Sequence, residues 1–359
     1  MKITGLSTQP FSLPMRGALS WGEGSTLEGL EHVLVRVHAG NHEGDEVTGT
    51  AEVPVRPTIY GETVVSVRGI VRWLEPHLIG RSLEDEEGIW NALHSVANNQ
   101  AAKGALDIAI HDARAKGRGQ TLFDTWRGPN EHIRVSFILG IADLKTMLAE
   151  ARWVFKQGVS VFKVKVGRDQ KFDEEVIGAL RNEFAGEEVI LYADANEGLS
   201  PGTAARDLER LAALGLAYIE EPLPIEFVKE RAALREAQIL PIIADDSCFS
   251  LRDLRRELAL GTFDILNIKP ARTGFTESSR MLALAREAGK GVMVGSQASS
   301  GLGTRHCALF ASQAGVDFPS ELSFPLKLEE DVVEERLEYV EGTLNVDSLS
   351  FTLRPNLEG

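Results

Sequence analysis

Five charged residues recur at nearly even intervals along the second half of the chain. They are Lys165, Asp194, Glu220, Asp245 and Lys269. Each ends a short apolar run of the kind that forms a buried β-strand, and neighbours in the series lie roughly 25 residues apart, about the length of one strand-and-helix unit. Three carboxylates and two amines brought to one place could bind a metal ion and move protons.

A further lysine lies two residues before the first member of this series. The run 161–167 reads Val-Phe-Lys-Val-Lys-Val-Gly, and side chains two apart on a strand share a face, so Lys163 and Lys165 point the same way. We expect both to face the inside of a sheet whose outer face packs under helices. Each ammonium group should lower the pKa of the other, making at least one a usable base. A solvated edge strand protected by lysines would carry the same pattern, so this strand alone leaves both interpretations open.

The three acidic members of the series predict a metal site. At the C-terminal ends of adjacent barrel strands, Asp194, Glu220 and Asp245 would repel one another unless a cation joined them. Mg²⁺ fits best, because it takes few protein carboxylates and leaves positions for water and substrate, and Mn²⁺ has similar ligand preferences. Alternatively, these acids form ion pairs with the lysines or cap helices.

Polar residues beside this set are expected to support it rather than to bind the metal. They are Asn196, Glu221, Asp246, Ser247 and Asn267. Alternation along the strands places Asn196 on the face of Asp194, and Asn267 on the face of Lys269. The metal and the lysines could then hold a substrate carboxylate while one lysine moves a proton at the adjacent carbon and the other lies on the opposite face.

The elements that must position these residues alternate between strand and helix. Eight apolar runs predict strands, at 135–139, 159–166, 189–194, 216–220, 241–245, 263–269, 291–295 and 318–322. Amphipathic helical segments lie between most of them, which predicts a parallel sheet covered by helices. Eight such strands favour a closed barrel, and no Gly-x-Gly-x-x-Gly follows a strand to support a dinucleotide fold.

The first part of the chain lacks this repeat and predicts a smaller α+β unit. Strands are expected at 2–11, 31–38 and 48–53, and helices at 64–78, 83–97 and 101–115. Two segments are expected to be loops: the glycine-rich 16–24, which contains Trp21, and the proline-containing 54–61, which contains Arg56 and Tyr60. We divide the chain into a capping domain (1–130), a barrel (131–330) and a C-terminal segment (331–359) that returns to the cap.

Composition narrows the class of protein. The chain has 359 residues, 43% of them hydrophobic, and a formal net charge of −15, which argues against binding to nucleic acid. It has neither a run of roughly 20 apolar residues nor the pattern of a signal peptide, so we expect a cytoplasmic protein that does not enter membranes. The two cysteines, Cys248 and Cys307, are expected to be reduced thiols.

The motifs around the charged series resemble those of the enolase superfamily, and within it the muconate lactonising subgroup. They are Lys163-Val164-Lys165, Asp194-Ala195-Asn196, Glu220-Glu221-Pro222, Asp245-Asp246-Ser247 and 267–274 (Asn-Ile-Lys-Pro-Ala-Arg-Thr-Gly). The resemblance covers nearly the whole chain. It implies a modified TIM-type barrel, (β/α)7β, under an N-terminal α+β capping domain.

The same resemblance assigns roles to the charged residues. It implies that Asp194, Glu220 and Asp245 bind Mg²⁺ and that Lys165 and Lys269 are the acid/base pair. Lys163 would modulate Lys165 and touch the substrate carboxylate. The loops around Trp21 and around Arg56 and Tyr60 would choose the substrate.

Finer motifs are similar to those of bacterial muconate cycloisomerases. They are 56–63, 269–276 and Glu321-Leu322-Ser323. The resemblance implies that one carboxylate of a muconate adds across a double bond and that a lysine protonates the resulting enolate to give a lactone. The seventh strand ends in Gly295-Ser296, where a mandelate-racemase-like site would have a histidine. Ser296 and Glu321 are therefore candidate substrate or supporting residues.

Other functions remain open at this point. Two lysines on opposite faces would also suit an N-acyl amino acid racemase or a dipeptide epimerase, and an o-succinylbenzoate synthase-like dehydration uses related chemistry. From other classes, the lysine pair alone would fit a Schiff-base lyase, and a barrel could bind ligands without catalysis. In the leading hypotheses the partner is a small-molecule carboxylate, and the chain could form a homo-oligomer.

Overall fold

The computed structural model describes residues 1–21 and 25–357. The tip of the predicted 16–24 loop, Gly22–Gly24, lies outside the described residues. The chain begins with an antiparallel sheet in the order β1-β2-β3, formed by β1 (Lys2–Trp21), β2 (Ser25–Gly40) and β3 (Glu46–Pro54).

The first two strands are longer than the sequence predicted. Residues 16–21, which we expected to form a loop, continue β1, and Leu19 pairs with Leu27 and Trp21 with Ser25. Glycine and arginine suggested a loop, but Leu13, Met15 and Leu19 bury their side chains in a small second core. That burial favours extended chain over a loop.

In the described part of the cap, five helices follow the sheet. They are α1 (Pro57–Tyr60), α2 (Val64–Leu78), α3 (Glu86–Leu93), α4 (Gln100–Gly117) and α5 (Leu122–Trp126). The bounds of α2 match the prediction, whereas α3 is shorter than predicted and the 54–61 loop contains a turn of helix. The alanine-rich α4 packs against β3 at Gly49, where a Cβ atom would lie 1.9 Å from the Ala109 oxygen.

The second half of the chain forms a parallel sheet with helices between its strands. Its strands are β5 (Phe137–Leu139), β6 (Val161–Lys165), β7 (Ile190–Asp194), β8 (Ile219–Glu220), β9 (Ile242–Ala244), β10 (Ile265–Ile268) and β11 (Gly291–Val294). Its helices are α6 (Leu144–Lys156), α7 (Gln170–Glu183), α8 (Ala204–Ala213), α9 (Val228–Glu236), α10 (Leu251–Leu260), α11 (Pro270–Glu287) and α12 (Gly301–Ala311). The strands follow one another in sequence order across the sheet.

Residues 318–321 join the two edges of this sheet. On one side, the Phe318 and Glu321 amides donate to carbonyls of β11, at 3.1 and 2.8 Å. On the other side, Ser320 exchanges hydrogen bonds of 2.8 Å with the Arg134 oxygen and the Ser136 amide. The barrel is therefore closed, although its eighth member is too short and irregular to form the strand that we predicted at 318–322.

Alternate side chains fill the inside of the barrel. Val161, Tyr192, Tyr218, Ile243 and Met293 form a cluster separate from the main core. Phe162 and Val164 point outward into the main core. The lysines and acids of the charged series share the inward face and lie above this cluster, as strand alternation predicted.

The C-terminal segment contacts both parts of the chain. Strand β4 (His132–Arg134) pairs with β13 (Thr343–Asn345), which pairs with β12 (Tyr339–Val340). Within the described residues, short 3₁₀ helices lie at Phe324–Lys327, just before this segment, and at Val346–Leu349 and Pro355–Leu357 inside it. The last of these reaches β1, where Gln9 donates to the Asn356 oxygen at 3.2 Å. Within the two described ranges, none of the helices combines the length and the apolar character needed to cross a bilayer.

Candidate active site

Lys163 lies at the centre of a buried ion-pair cluster. Its Nζ atom is 2.7 Å from Glu220 Oε1, 2.6 Å from Glu321 Oε1 and 3.0 Å from Asp194 Oδ2. The lysine and all three acids are at least 97% buried. The cluster joins β6, β7, β8 and the closing segment of the barrel.

The charges in this cluster shift one another's titration. Burial opposes the charge on Lys163, but the Asp194, Glu220 and Glu321 carboxylates outweigh it and hold the pKa of Lys163 well above its ordinary value. Our expectation that a neighbouring lysine would lower the pKa does not hold for Lys163, because the carboxylates are nearer. Burial raises the pKa of Glu220 well above its usual range, and the surrounding acids add to this effect.

Lys165 lies two residues after Lys163 on β6, on the same face of the strand. Its ammonium group donates to Asp194 Oδ2 at 2.6 Å and to Asn196 Oδ1 at 2.9 Å. The Asn196 amide in turn donates to Asp194 Oδ1 at 2.8 Å. Asn196 has a positive φ of 42°, so the chain bends sharply where β7 ends. Asn196 thus contacts Lys165 through its side-chain oxygen and Asp194 through its backbone amide.

Lys269 follows β10 and contacts Asp245, which follows β9. Asp245 Oδ1 also lies 3.1 Å from Arg272 Nη1, and the second guanidinium nitrogen of Arg272 donates to the Asp245 and Cys248 oxygens at 3.0 and 3.1 Å. Burial opposes the charge on Lys269, but Asp245 outweighs it and raises the lysine pKa. The sequence analysis included Arg272 in a motif without giving it a role. Its position three residues after Lys269, in the first turn of α11, was the available signal.

The two lysines proposed as acid and base lie on opposite sides of the barrel. Lys165 is on β6 and Lys269 follows β10, and these strands are four places apart in a ring of eight members. Both side chains line one cavity of about 380 Å³, with Lys163, Asp194 and Asp245 at its polar end. A substrate in this cavity would therefore have an amine on either face.

The three proposed metal ligands suit a dication by type and position. Asp194 and Glu220 are paired residues on neighbouring strands, and Asp245 follows on the next. Asp245 Oδ1 accepts no hydrogen bond in the structure, although it lies 3.1 Å from the Arg272 guanidinium. Across residues 1–21 and 25–357, no three acid, histidine or cysteine side chains converge as a preformed metal cage. Lysine nitrogens instead contact each of the three carboxylates.

The remaining predicted site residues fall into two groups. The cavity wall includes Trp21, Arg56, Asn196, Asp246, Ser296 and Glu321. Glu220, Asn267 and Tyr60 lie behind this wall. Asn267 donates to Glu220 Oε2 at 3.2 Å, whereas Tyr60 packs edge-on against Phe249 with its buried hydroxyl unpaired.

The part of the cavity away from the lysines is largely apolar. Its lining includes Leu19, Ile59, Ile138, Ile225, Phe249 and Phe324. Leu19 and Ile59 belong to the segments 16–24 and 54–61 that were expected to choose the substrate, whereas the other four had no predicted role. They come from β1, α1, β5, barrel loops and a 3₁₀ helix that are distant in sequence, and only the folded chain brings them together.

Acidic neighbours of the proposed ligands differ in their roles. Glu221 accepts hydrogen bonds from the Asp245 amide at 2.7 Å and from the Ser247 hydroxyl at 2.6 Å, so it supports the loop after β9. Burial raises the pKa of Glu221 to about 7. Burial and the adjacent Asp245 raise the pKa of Asp246 to about 6.

A closed barrel with a charged mouth under a strand-rich cap defines a class of enzymes, and comparison with known families gives the same class. A model of the enolase C-terminal domain-like family matches residues 146–350, and a model of the mandelate racemase / muconate lactonizing enzyme N-terminal domain matches residues 24–125. The chain belongs to the enolase superfamily, in its muconate lactonizing enzyme subgroup, and is an isomerase.

Individual relatives carry several activities. An N-succinylamino acid racemase from Thermus thermophilus is 32% identical over 85% of this chain and 82% of its own length. The muconate lactonizing enzyme of Mycobacterium smegmatis, solved with muconolactone, superposes with a TM-score of 0.92 and 33% identity over 99% of this chain and 98% of that one. A dipeptide epimerase from Cytophaga hutchinsonii, solved with Mg and a dipeptide, has a TM-score of 0.89 and 26% identity over 99% of this chain and 97% of that one.

Proposed function

We propose that this protein is a Mg²⁺-dependent isomerase that moves a proton at the carbon next to a substrate carboxylate. The observation that carries the proposal is the placement of Lys165 and Lys269 on opposite walls of one cavity, each in contact with an acid proposed as a metal ligand. Amines so placed can reach either face of a carbon between them.

The metal would be held by Asp194, Glu220 and Asp245. When bound, Mg²⁺ stabilises the negative charge that develops on the substrate carboxylate. The Cytophaga epimerase, whose structure contains Mg, supports this choice of ion.

Lys163 has a role distinct from the other two lysines. It is buried and bonded to Glu220 and Glu321, so its positive charge is fixed at the polar end of the cavity. A fixed positive charge there would orient a substrate carboxylate. It would also stabilise the negative charge that develops on the substrate as the proton leaves. Lys165 and Lys269 lie closer to the open cavity and would hold or donate the proton.

We propose a muconate-like dicarboxylate as the substrate. One carboxylate oxygen would add across the double bond, which closes the lactone ring, and a lysine would then protonate the carbon next to the other carboxylate. The likeness to the Mycobacterium enzyme over almost the full chain supports this choice, together with the loop motifs at 56–63 and 269–276. Loss of ultraviolet absorbance from cis,cis-muconate, on addition of protein and Mg²⁺, tests it, and the absence of turnover would remove this substrate.

A second candidate is racemisation of an N-acyl amino acid. The observation that favours it is the apolar lining of the cavity, where Leu19, Ile59 and Phe324 offer contacts to an aliphatic side chain. The charged Arg56 on the same wall is already bonded to the Gln297 and Ala298 oxygens. Opposed lysines would let one amine remove the α-proton while the other returns it to the opposite face. In heavy water, both enantiomers of N-succinyl-leucine should then gain deuterium at the α-carbon. If muconate reacts and neither enantiomer exchanges, the lactonising assignment stands alone.

A further inference from the structure

A buried polar contact links the cap to the barrel loop that follows β11. We call it the cap latch and define it by Arg56, His32 and Glu52 of the cap and Ser300 of the barrel. All four residues are at least 97% buried. The latch reaches the loop 296–300, three residues of which, Ser296, Gln297 and Ala298, line the active-site cavity.

Arg56 makes the direct connection to the cavity wall. Its guanidinium donates to the Gln297 oxygen at 2.7 Å and the Ala298 oxygen at 2.8 Å, and also to the Val55 oxygen at 2.6 Å. Burial lowers the pKa of Arg56 to about 10. Removing the Arg56 guanidinium from water costs free energy, because its partners here are neutral carbonyls. The loop carbonyls, however, accept charge-assisted hydrogen bonds, which are stronger than those from a neutral donor.

Glu52 holds the other end of the loop. Its carboxylate accepts from the Ser300 amide at 2.9 Å and contacts the Ser300 hydroxyl at the N-terminus of α12, where the helix dipole favours a negative charge. Gly303 makes this approach possible, because a Cβ atom there would lie 2.3 Å from Glu52 Oε1. The cap thus places the Arg56 guanidinium against the loop carbonyls and the Glu52 carboxylate against the N-terminus of α12.

His32 lies between these two charges. Its Nε2 atom is 3.1 Å from Arg56 Nη2, the same nitrogen that donates to both loop carbonyls, and its Nδ1 atom faces Glu52 Oε1 at 3.6 Å. Burial lowers the pKa of His32, and the ring packs between the two charged groups. The three cap residues therefore act as one unit.

The loop that the latch holds is both strained and connected to the lysine cluster. Ala298 has a φ of 54°, a conformation that non-glycine residues rarely adopt. The Ser296 amide donates to Glu321 Oε2 at 2.8 Å, and Glu321 contacts Lys163. Surrounding contacts must hold this backbone in place, and the cap latch supplies them from one side.

We propose that Arg56 is a positioning residue that fixes the Gln297–Ala298 wall of the cavity rather than a group that binds substrate. This inference rests on the proposed function, since it concerns how the same cavity recognises its substrate. Although Arg56 lines the cavity, its guanidinium donates to the loop carbonyls and to the Val55 oxygen, so its loss should change substrate fit more than proton transfer.

Hydrogen exchange tests the latch without any substrate. Arg56→Met should speed exchange of the Ser296, Ala298 and Ser300 amides by about 10-fold or more, since it removes charge-assisted hydrogen bonds. Arg56→Lys should restore part of the protection. Arg36→Met is the matched control, because Arg36 is also buried in the cap and binds Gln9 and the Leu357 oxygen far from the loop. Unchanged loop exchange in Arg56→Met would overturn the latch.

Steady-state kinetics test the positioning role. On whichever substrate the wild type converts, Arg56→Met should raise KM by about 10-fold and change kcat much less, with partial rescue in Arg56→Lys. An unchanged KM, or an equal loss in kcat, would overturn it. If Arg56→Met fails to fold, Arg56→Lys and Ser300→Ala are measured in the same way. If the wild type converts no carboxylate, the proposed function fails, while the exchange experiment still decides whether the latch exists.

Discussion

The ammonium group of Lys165 donates a hydrogen bond of 2.6 Å to Asp194, so a residue proposed as a base is held by a residue proposed as a metal ligand. The contact of Lys269 with Asp245 repeats this relationship across the barrel. In both pairs the buried acid also contacts a second cation, Lys163 for Asp194 and Arg272 for Asp245. A dication at the three acids would compete with the lysines for the same carboxylates.

Metal binding should therefore be visible as added stability. Saturating Mg²⁺ should raise the melting temperature by about 3 °C or more, because a ligand that binds only the folded state stabilises it. Calorimetry with Mg²⁺ and with a chelator measures this shift. Asp194→Asn, Glu220→Gln and Asp245→Asn should each shrink it, whereas Glu209→Gln on the exposed face of α8 should not. Equal shifts in all four variants would place the metal elsewhere.

Removing the central lysine should cost stability. Lys163→Met leaves Glu220 and Glu321 buried without their cation, and breaking a buried ion pair costs about 3–5 kcal/mol. Chemical denaturation without metal measures the loss. Mg²⁺ should stabilise this variant more than the wild type, because the dication then supplies the missing positive charge. A variant as stable as the wild type would show that the cluster is not held by Lys163.

The lysines on the two walls should be needed for turnover and not for folding. Lys165→Ala and Lys269→Ala should each lower kcat by about 10²–10⁴-fold, the usual contribution of a general acid or base. Circular dichroism should show that both variants are folded. Lys229→Ala, on the exposed face of α9, is the matched control and should keep full activity. Normal rates in both wall variants would mean that the acid and base are misassigned.

A histidine outside the active site should affect stability at low pH. Burial lowers the pKa of His306 in α12 to about 4, while an unfolded histidine titrates near 6.5. Between these values the unfolded chain binds a proton that the folded chain does not, so stability falls as pH drops from 6.5 toward 4, by about 3 kcal/mol from this group. His306→Gln should lack this decrease in stability between pH 6.5 and 4. The control variant His42→Gln, which changes an exposed turn, should keep it. Parallel profiles for His306→Gln and the wild type would exclude this effect.

Much of the barrel could be predicted because its signals are local. Strand alternation put Lys163 and Lys165 on the inner face with Phe162 and Val164 outside, and the structure has this arrangement. The fold class and the family follow from such regularity, since each strand-and-helix unit repeats the same pattern. The domain boundaries near 130 and 330 and the roles of the site residues stay predictions.

The remaining features depend on contacts between distant parts of the chain. Residues 16–21 carry loop-forming residues but extend β1, because Leu19 is buried against the opposite strand and the barrel. The pKa of Lys163 depends on Glu321, which lies 158 positions away in the sequence. Arg56 lines the cavity, and its guanidinium is also bonded to loop carbonyls that no local pattern reveals.

Deuterium transfer at the carbon next to the carboxylate tests the proposed chemistry most directly. Protein and Mg²⁺ are incubated in heavy water with cis,cis-muconate and, separately, with N-succinyl-leucine, and the products are examined by NMR. We predict deuterium at that carbon with at least one substrate, and its loss in Lys165→Ala or Lys269→Ala. Turnover without deuterium at that position, or incorporation that persists in both lysine variants, would contradict proton transfer between the two walls.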